Sequence, residues 1–109
     1  LEIFIMNADG SNKQQVTNNG ASNFSPFFHP DGRRVIFASN VDTRNASGRP
    51  EFHLYLVNED GSGQERLTFD GQFNSFPMFS PDGKTLVWVS DRHAKEPGEF
   101  NVFLADWVP

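Results

Sequence analysis

The side chains that could do chemistry are few, and their spacing matches no catalytic site. The three histidines, His29, His53 and His93, lie far apart in the sequence. No Gly-x-Ser-x-Gly elbow, phosphate loop or His-Glu-x-x-His pair occurs, so neither a nucleophile nor a zinc ion has its usual sequence context. The absence of cysteine excludes disulfides and thiolate ligands. We therefore predict no catalytic residue, no metal site and no cofactor.

The histidines have simpler structural interpretations. His29 precedes a Pro-Asp-Gly turn and takes the position that Ser80 holds in a second copy of that turn, so we predict a solvated turn residue. His53 lies within an apolar run that predicts a β-strand, where a structural role is expected. His93 lies in a polar connection between two predicted strands and is a candidate contact residue.

The overall composition favours a β-sheet protein. Twelve Phe and two Trp accompany nine Gly and seven Pro, a combination that suits aromatic strands separated by tight turns. The formal net charge is -5 and the nine Lys and Arg are scattered, which argues against nucleic-acid binding. No apolar run approaches the length of about 18 residues that a membrane span requires. We therefore predict an all-β protein with no nucleic-acid partner and no membrane insertion.

A sequence repeat organises the chain. Ile3–Ser11 returns as Leu54–Ser62, and Phe28–Gly32 returns as Phe79–Gly83, both 51 residues later. A partial third copy of the first segment appears at Val102–Asp106, 48 residues after the second copy. Repeats of this length predict similar structural units that stack against one another.

Each repeat predicts four short antiparallel strands, which we label a to d. The Pro-Asp-Gly and Asn-x-Asp-Gly segments between them have the chemistry of hairpin turns, and the full ligand spacing of a calcium loop is missing. The predicted strands are 1–6 (c), 13–17 (d), 24–28 (a), 34–39 (b), 52–57 (c), 64–68 (d), 75–79 (a), 85–90 (b) and 100–105 (c). The chain then divides into the last two strands of a preceding unit (residues 1–17), a complete unit (residues 18–68) and a unit without its outer strand (residues 69–109).

Apolar runs and proline positions predict how the strands are arranged. Strands b and c are almost continuously apolar, as in Val35–Ala38 and Leu86–Val89, so both faces of each sheet must be covered. Pro26 and Pro77 place strand a at a sheet edge, because proline lacks the N–H that a central strand gives its ladder. Small antiparallel sheets that pack face to face around a channel are the blades of a β-propeller. A solenoid and a two-sheet sandwich are the alternatives.

Two motifs carry a family resemblance. Phe28–Asn40 and Phe79–Asp91 follow the pattern F-x-P-D-G-[KR]-x-[VL]-[VI]-[FW]-x-S-[ND], and Ile3–Ser11 and Leu54–Ser62 follow [LI]-[YF]-[LI]-[MV]-N-x-D-G-S. Together these motifs resemble the WD40-like Pro-Asp repeat of TolB-type β-propellers, across nearly the whole chain. Closed members carry more repeats, so the resemblance implies a β-propeller fragment: two four-stranded antiparallel blades plus part of another.

The resemblance also implies a function. TolB-type propellers are non-catalytic scaffolds that bind a protein partner or ligand in the periplasm or another extracytoplasmic compartment, and a cytoplasmic location stays open. The same repeats occur in the propeller domains of prolyl-oligopeptidase-like and tricorn-like hydrolases, which is the alternative. The bare faces of the outer blades predict that further blades, from the same parent chain or from other copies, cover them.

The connections between strands predict where binding occurs. Because consecutive strands run in opposite directions, the a–b and c–d turns lie at one end of the blades and the b–c and d–a connections lie at the other. The b–c connections, 40–51 and 91–99, differ in length and sequence, as binding loops on a rigid scaffold do. The predicted contact residues are Asn23, Asp42, Arg44, Arg49, Asn74, Asp91, Arg92, His93 and Lys95. The alternative is that these loops are solvated connectors without a binding role. For Asn23 and Asn74 a structural role is also open, in which each side chain closes its turn through a hydrogen bond to the backbone.

Overall fold

The structure is a computed structural model that describes residues 1–43 and 48–108. The regular secondary structure in these ranges consists of β-strands alone. They are β1 (Phe4–Ile5), β2 (Gln14–Gln15), β3 (Asn23–Phe28), β4 (Arg34–Ser39), β5 (His53–Asn58), β6 (Glu65–Arg66), β7 (Asn74–Phe79), β8 (Thr85–Ser90) and β9 (Asn101–Asp106). They form three antiparallel sheets, which we name the first (β1–β2), the second (β3–β6) and the third (β7–β9). The predicted all-β fold class is confirmed. Within the described ranges, nothing helical is long and apolar enough to cross a membrane.

The second and third sheets repeat one strand arrangement. Strand b, which is β4 in one sheet and β8 in the other, has the predicted bounds and lies between strands a and c. Strand a lies at the edge of both sheets, as the prolines predicted. Each a strand also contains a bulge, where Ser25 and Phe76 have φ values of 50° and 54°. The shared bulge shows that the repeat extends to irregular backbone geometry.

The d strands are shorter than predicted, since β2 and β6 pair over two residues each. A threonine side chain ends both ladders. The Oγ1 atom of Thr17 accepts the backbone N–H of Ile3 at 2.8 Å, and that of Thr68 accepts the backbone N–H of Leu54 at 2.9 Å. The hydroxyl takes the place of the next backbone acceptor, so regular pairing stops there.

Apolar side chains fill the two spaces between the sheets. The core between the first and second sheets contains Ile3, Val16, Val35, Phe37, Tyr55 and Val57. The core between the second and third sheets contains Ile36, Ala38, Leu54, Leu56, Phe79, Leu86 and Trp88. Alternate residues of β4 and β5 therefore enter opposite cores, because successive side chains of a strand lie on opposite faces. This double burial explains the continuous apolar runs of β4 and β5.

The a–b turns have the predicted hairpin chemistry. Gly32 and Gly83 both have φ values of 72°, a conformation that glycine adopts without steric cost. Their N–H groups donate to the carbonyl oxygens of His29 and Ser80, at 2.8 and 2.9 Å. We name the end of the sheets formed by the a–b and c–d turns the turn face, and the opposite end, formed by the b–c and d–a connections, the loop face.

His29 corrects one expectation, because its side chain is packed rather than solvated. The residue is 9% exposed, and its ring centroid lies 4.7 Å from that of Phe79 and 5.8 Å from that of Trp107. Both rings belong to the third sheet or follow it directly. The comparison with Ser80 was misleading, because among the described residues no further sheet packs beside the turn of Ser80.

Candidate functional site

Both b–c loops contribute residues to an open cleft of about 320 Å³ on the loop face. The described residues that line this loop cleft are Arg49, Gln72, Asp91 and residues 94–100. They come from both b–c loops and from the d–a connection between the second and third sheets. Three predicted contact residues, Arg49, Asp91 and Lys95, therefore lie around one depression, and two of them, Arg49 and Lys95, are exposed.

Asp91 shapes the loop cleft through its hydrogen bonds. Its Oδ1 accepts the backbone N–H groups of Gln72 and Phe73, at 2.8 and 3.0 Å. A side chain at Gly71 would place its Cβ 2.7 Å from the same oxygen, so the loop and the connection are tightly packed there. Asp91 thus holds the d–a connection against the b–c loop of the third sheet.

Arg92 and His93, the next two predicted contact residues, do not line the cleft. The Nη2 atom of Arg92 donates to Oδ1 of Asn74 at 3.1 Å, and its guanidinium lies 5.1 Å from the ring centroid of Trp88. Arg92 is therefore engaged within the third sheet. His93 is exposed and has a φ of 58°, so it projects from a left-handed turn of the loop.

Asp42 ties the other b–c loop to the second sheet. Its Oδ2 accepts the phenolic O–H of Tyr55 at 2.7 Å and lies 3.6 Å from Nη1 of Arg66. Burial raises the pKa of the Tyr55 phenol, and the bond to the Asp42 carboxylate raises it further, so the phenol remains a donor. Arg44 lies outside the described residues.

Asn23 is buried where the first and second sheets meet. Its Nδ2 donates to the carbonyl oxygen of Leu1 at 2.7 Å and to Oε1 of Glu2 at 3.2 Å. The hydroxyl of Thr17 donates to the same Glu2 oxygen at 2.7 Å and accepts the N–H of Ile3. We name this group the first latch, because it joins strand c, the end of strand d and the next strand a.

Asn74 is buried in an equivalent second latch, between the second and third sheets. Its Nδ2 donates to the carbonyl oxygen of Phe52 at 3.1 Å and lies 3.2 Å from Nδ1 of His53. The Oγ1 atom of Thr68 lies 3.0 Å from the same His53 nitrogen and accepts the N–H of Leu54. A histidine here replaces the carboxylate of the first latch. These bonds favour the structural alternative for both asparagines, and a contact role for them stays a prediction.

A row of four phenylalanines reaches the loop cleft, and the sequence pattern did not reveal it. Ring centroids are 5.3 Å apart for Phe24 and Phe52, 5.8 Å for Phe52 and Phe73, and 5.4 Å for Phe73 and Phe100. Phe100 lines the cleft and is 48% exposed. Phe52 and Phe100 hold the same repeat position, directly before strand c, and this was the available signal.

Similarity to known proteins decides the family. The model of the TolB β-propeller domain matches residues 1–107. The chain belongs to this family. The Tol-Pal system protein TolB of Helicobacter hepaticus is 34% identical over 89 residues, which cover 80% of this chain and 20% of that protein. A dipeptidyl-peptidase 5 of Porphyromonas endodontalis is 28% identical over 91 residues, which cover 83% of this chain and 12% of that enzyme.

A solved structure agrees with this family assignment. A protein from Agrobacterium tumefaciens assigned to TolB superimposes with a TM-score of 0.77 at 28% identity, covering 96% of this chain and 37% of that one. The resemblance to TolB-type propellers is confirmed. The chain spans well under half the length of each of these three proteins.

The loop cleft of this TolB β-propeller domain has the composition of a recognition surface. Arg49 and Lys95 supply positive charge, Glu96 and Glu99 supply negative charge, and Phe100 supplies an exposed ring. Within residues 1–43 and 48–108, no group of three or more His, Cys, Asp or Glu side chains is placed to hold a metal ion. An aromatic ring surrounded by charges of both signs suits non-covalent binding of another macromolecule.

Proposed function

We propose that this TolB-type propeller is a non-catalytic scaffold that binds a protein partner through its loop face. The observation that carries the proposal is the loop cleft, where the half-exposed ring of Phe100 shares one depression with exposed Arg49 and Lys95. An apolar anchor with a polar, charged rim is typical of protein–protein hot spots. One relative is a protein of the Tol-Pal system, which supports a similar scaffold role in an extracytoplasmic compartment.

The walls of the cleft are held in place before any partner arrives. Asp91 fixes the d–a connection through two backbone N–H groups, and the hydroxyl of Thr43 accepts the N–H of Glu51 at 2.9 Å in the other b–c loop. A surface that is already ordered loses less conformational entropy on binding. The fixed d–a connection therefore lowers the entropy cost of binding at the loop cleft.

Charge reversal tests the placement of the binding site. Arg49→Glu with Lys95→Glu in the parent protein reverses the cationic charge of the cleft, and Arg33→Glu with Lys84→Glu is a matched control on the turn face, since all four residues are exposed. We expect the cleft pair to weaken partner binding by about tenfold or more, and the control pair by about twofold or less. Arg92 stays unchanged because its bond to Asn74 makes it part of the fold.

Photo-crosslinking identifies the partner for that measurement. A benzophenone amino acid replaces Lys95 in one version of the parent protein and Lys84 in the other. We expect a protein adduct from position 95 and none from position 84. Equal adducts from the two positions, or equal losses of affinity in the two charge-reversal pairs, would place partner binding outside the loop cleft.

A second candidate function rests on the dipeptidyl-peptidase relative. In that case the propeller would position or gate a separate hydrolase domain of the parent protein. The complete reading frame of the parent separates the two functions. A further domain with a Gly-x-Ser-x-Gly elbow favours the hydrolase, whereas its absence favours the scaffold.

A further inference from the structure

Among the described residues, His53 is the most deeply buried titratable side chain, and it lies in the second latch. Both of its ring nitrogens have polar partners. Nε2 lies 2.9 Å from Oε1 of Glu51, and Nδ1 lies 3.0 Å from Oγ1 of Thr68 and 3.2 Å from Nδ2 of Asn74. The orientation of these partners therefore decides which nitrogen carries the proton.

The orientation of the Asn74 side-chain amide is fixed by its own hydrogen bonds. Its Oδ1 accepts the indole N–H of Trp88 at 3.3 Å and Nη2 of Arg92 at 3.1 Å. Its Nδ2 donates to the carbonyl oxygens of Phe52 and Asp70, at 3.1 and 3.0 Å. A flipped amide would oppose donors to donors and acceptors to acceptors at all four contacts. Nδ2, a donor, is therefore the atom that faces the histidine ring.

Because it faces a donor, Nδ1 of His53 must act as an acceptor. The neutral ring with its proton on Nε2 meets this requirement. Nδ1 then accepts from Asn74 and from the hydroxyl of Thr68, while Nε2 donates to Glu51. The first latch has the same double acceptance, since Oε1 of Glu2 accepts from the corresponding threonine and asparagine. The second latch therefore requires the uncharged ring.

Protonation of the ring would break this arrangement. An N–H of His53 would then face the NH2 group of Asn74, and two donors cannot bond to each other. Both side chains are buried, so neither group can turn to water instead. The amide also cannot flip without losing its four other partners. A charged ring therefore displaces the Asn74 side chain.

The charged groups around the second latch do not reverse this preference. Glu51 attracts a charged ring, but its side chain is 38% exposed, so solvent screens the attraction. Arg92 bonds to the asparagine beside the ring and repels a second positive charge. Asp70 is exposed and meets the latch through its backbone carbonyl, and Asp91 accepts from the backbone of residues 72 and 73. The buried donor conflict therefore outweighs the screened ion pair.

The first latch keeps its acceptor in acid. Burial acts to raise the pKa of Glu2, but bonds from the Thr17 hydroxyl and from the backbone of Gly20 and Asn19 outweigh it, so this pKa is lowered. Glu2 therefore stays charged, and its oxygen continues to accept, at a pH where histidines take up protons.

The second latch fastens the d–a connection that lines the loop cleft. Phe52 and Phe73 form a parallel bridge between strand c of the second sheet and this connection. The N–H of Phe52 donates to the carbonyl oxygen of Gln72, and the N–H of Asn74 donates to that of Phe52, both at 2.9 Å. Gln72 itself lines the cleft. Displacement of the Asn74 side chain therefore reaches the cleft through the backbone.

We propose that His53 is an acid-sensitive joint between the second and third sheets. Protonation of its Nδ1 releases Asn74, opens the bridge at Phe52 and loosens the d–a connection of the loop cleft. The unfolded chain takes up this proton without a conflict. The contribution of His53 to stability is therefore complete at neutral pH and is lost as the pH falls below about 6.5, the ordinary value for histidine. This response belongs to the chain alone, whether or not a partner binds the cleft.

Nuclear magnetic resonance tests the starting state of the joint. Long-range correlations between the carbon-bound ring protons and the two ring nitrogens show which nitrogen is protonated at about pH 7.5. We expect the proton on Nε2 of His53 and none on Nδ1. A proton on Nδ1 at this pH would overturn the proposal.

Amide hydrogen exchange tests the response to acid. Between about pH 7.5 and about pH 5, we expect the protection factors of the backbone amides of Phe52 and Asn74 to fall by about tenfold or more. The amide of Ile3, which the first latch holds, should change by about twofold or less. In His53→Asn all three amides should change by about twofold or less, because an amide oxygen accepts equally in acid. Asparagine occurs naturally at this repeat position, as Asn101.

Thermal denaturation separates His53 from the other titrating groups. Lowering the pH from about 7.5 to about 5 should lower the melting temperature of the unmodified chain by about 4 °C or more beyond the change in His53→Asn. His93→Asn, at an exposed position, is the matched control and should respond to pH as the unmodified chain does. Glu51→Gln keeps an oxygen acceptor for Nε2 and should lose at least as much in acid as the unmodified chain.

Three further results would overturn the proposal. One is an equal loss of protection at Ile3 and at the amides of Phe52 and Asn74, because acid would then act on both junctions alike. Another is a melting temperature of the unmodified chain that falls no more than that of His53→Asn. The last is the loss of the acid response in Glu51→Gln, which would assign it to the ion pair. If His53→Asn does not fold, the comparison of Phe52 with Ile3 within the unmodified chain decides.

Discussion

The second and third sheets have the same strand arrangement and similar sequences, yet their burial differs sharply. Leu56 in β5 is 4% exposed, whereas Leu104, at the same repeat position in β9, is 71% exposed. The first five residues of β5 are buried, and no residue of β9 is. Among the residues that the structure describes, the second sheet has a sheet on each face, while the third packs against the second alone. Burial in this fold is thus set by position in the stack rather than by the residue pattern.

The largest expected effect comes from truncating the matched leucines. Leu56→Ala removes a side chain from the core between the second and third sheets, and we expect the free energy of unfolding to fall by about 2–5 kcal/mol. Leu104→Ala removes an exposed side chain and should change it by about 0.5 kcal/mol or less. Urea denaturation of both variants measures the difference.

Equal losses in the two variants would contradict the burial comparison. They would mean that another surface covers Leu104 in solution. Repeating the denaturation over a dilution series shows whether a second copy or the same chain covers Leu104. Coverage by a second copy makes the midpoint depend on protein concentration. A midpoint that is independent of concentration, with a small loss for Leu104→Ala, is the expected result.

Sequence predicted the parts of the fold that depend on neighbours along the chain. The bounds of β4 and β8, the edge position of strand a and the glycine turns follow from apolar runs, proline chemistry and turn residues. The short d strands were not predicted, because their ladders end where Thr17 and Thr68 bond across the sheet. That event depends on a partner strand 14 residues away in sequence.

The candidate site was less predictable for the same reason. Asp91, Arg92 and Lys95 lie in one polar loop and look equivalent in sequence. The structure separates them, since Asp91 holds a connection, Arg92 bonds to Asn74, and Lys95 is exposed at the cleft. Their roles depend on Gln72, Phe73 and Asn74, which lie 18 or 19 positions before the loop, and the loop sequence alone does not specify those contacts.

An intermediate effect is expected from exchanging the residues that begin the two a–b turns. His29→Ser removes ring contacts with Phe79 and Trp107 across the sheet junction, and we expect a loss of about 1–2 kcal/mol. Ser80→His introduces a ring where no described sheet packs and removes the hydroxyl that donates to Asp82 and accepts the N–H of Thr85, so we expect a loss of about 1 kcal/mol or less. Thermal denaturation at neutral pH measures both. A larger loss at Ser80 than at His29 would contradict this assignment of the junction.

The smallest expected effect concerns the aspartates of the same two turns. Partial burial acts to raise the pKa of Asp31, but the backbone N–H of Arg33, the side chain of Arg34 and the nearby His29 outweigh it and hold this pKa at about 2. The Nε atom of Arg34 donates to Oδ2 of Asp31 at 2.8 Å. Bonds from the Ser80 hydroxyl and the backbone of residue 84 also lower the pKa of Asp82, without a bonded guanidinium.

The pKa difference between the folded and unfolded states gives the direction of the pH dependence. A folded-state pKa of about 2 lies below the unfolded value of about 3.9, so ionised Asp31 stabilises the fold above about pH 4, and this contribution is lost as the pH falls through about 2. We expect Asp31→Asn to lower stability slightly at neutral pH and to match the parent chain near pH 2. Carboxyl chemical shifts should show Asp31 titrating at a lower pH than Asp82, because it alone is bonded by a guanidinium. A midpoint for Asp31 equal to that of Asp82 would show that the Arg34 guanidinium does not lower the Asp31 pKa in solution, and the two turns would then be electrostatically equivalent.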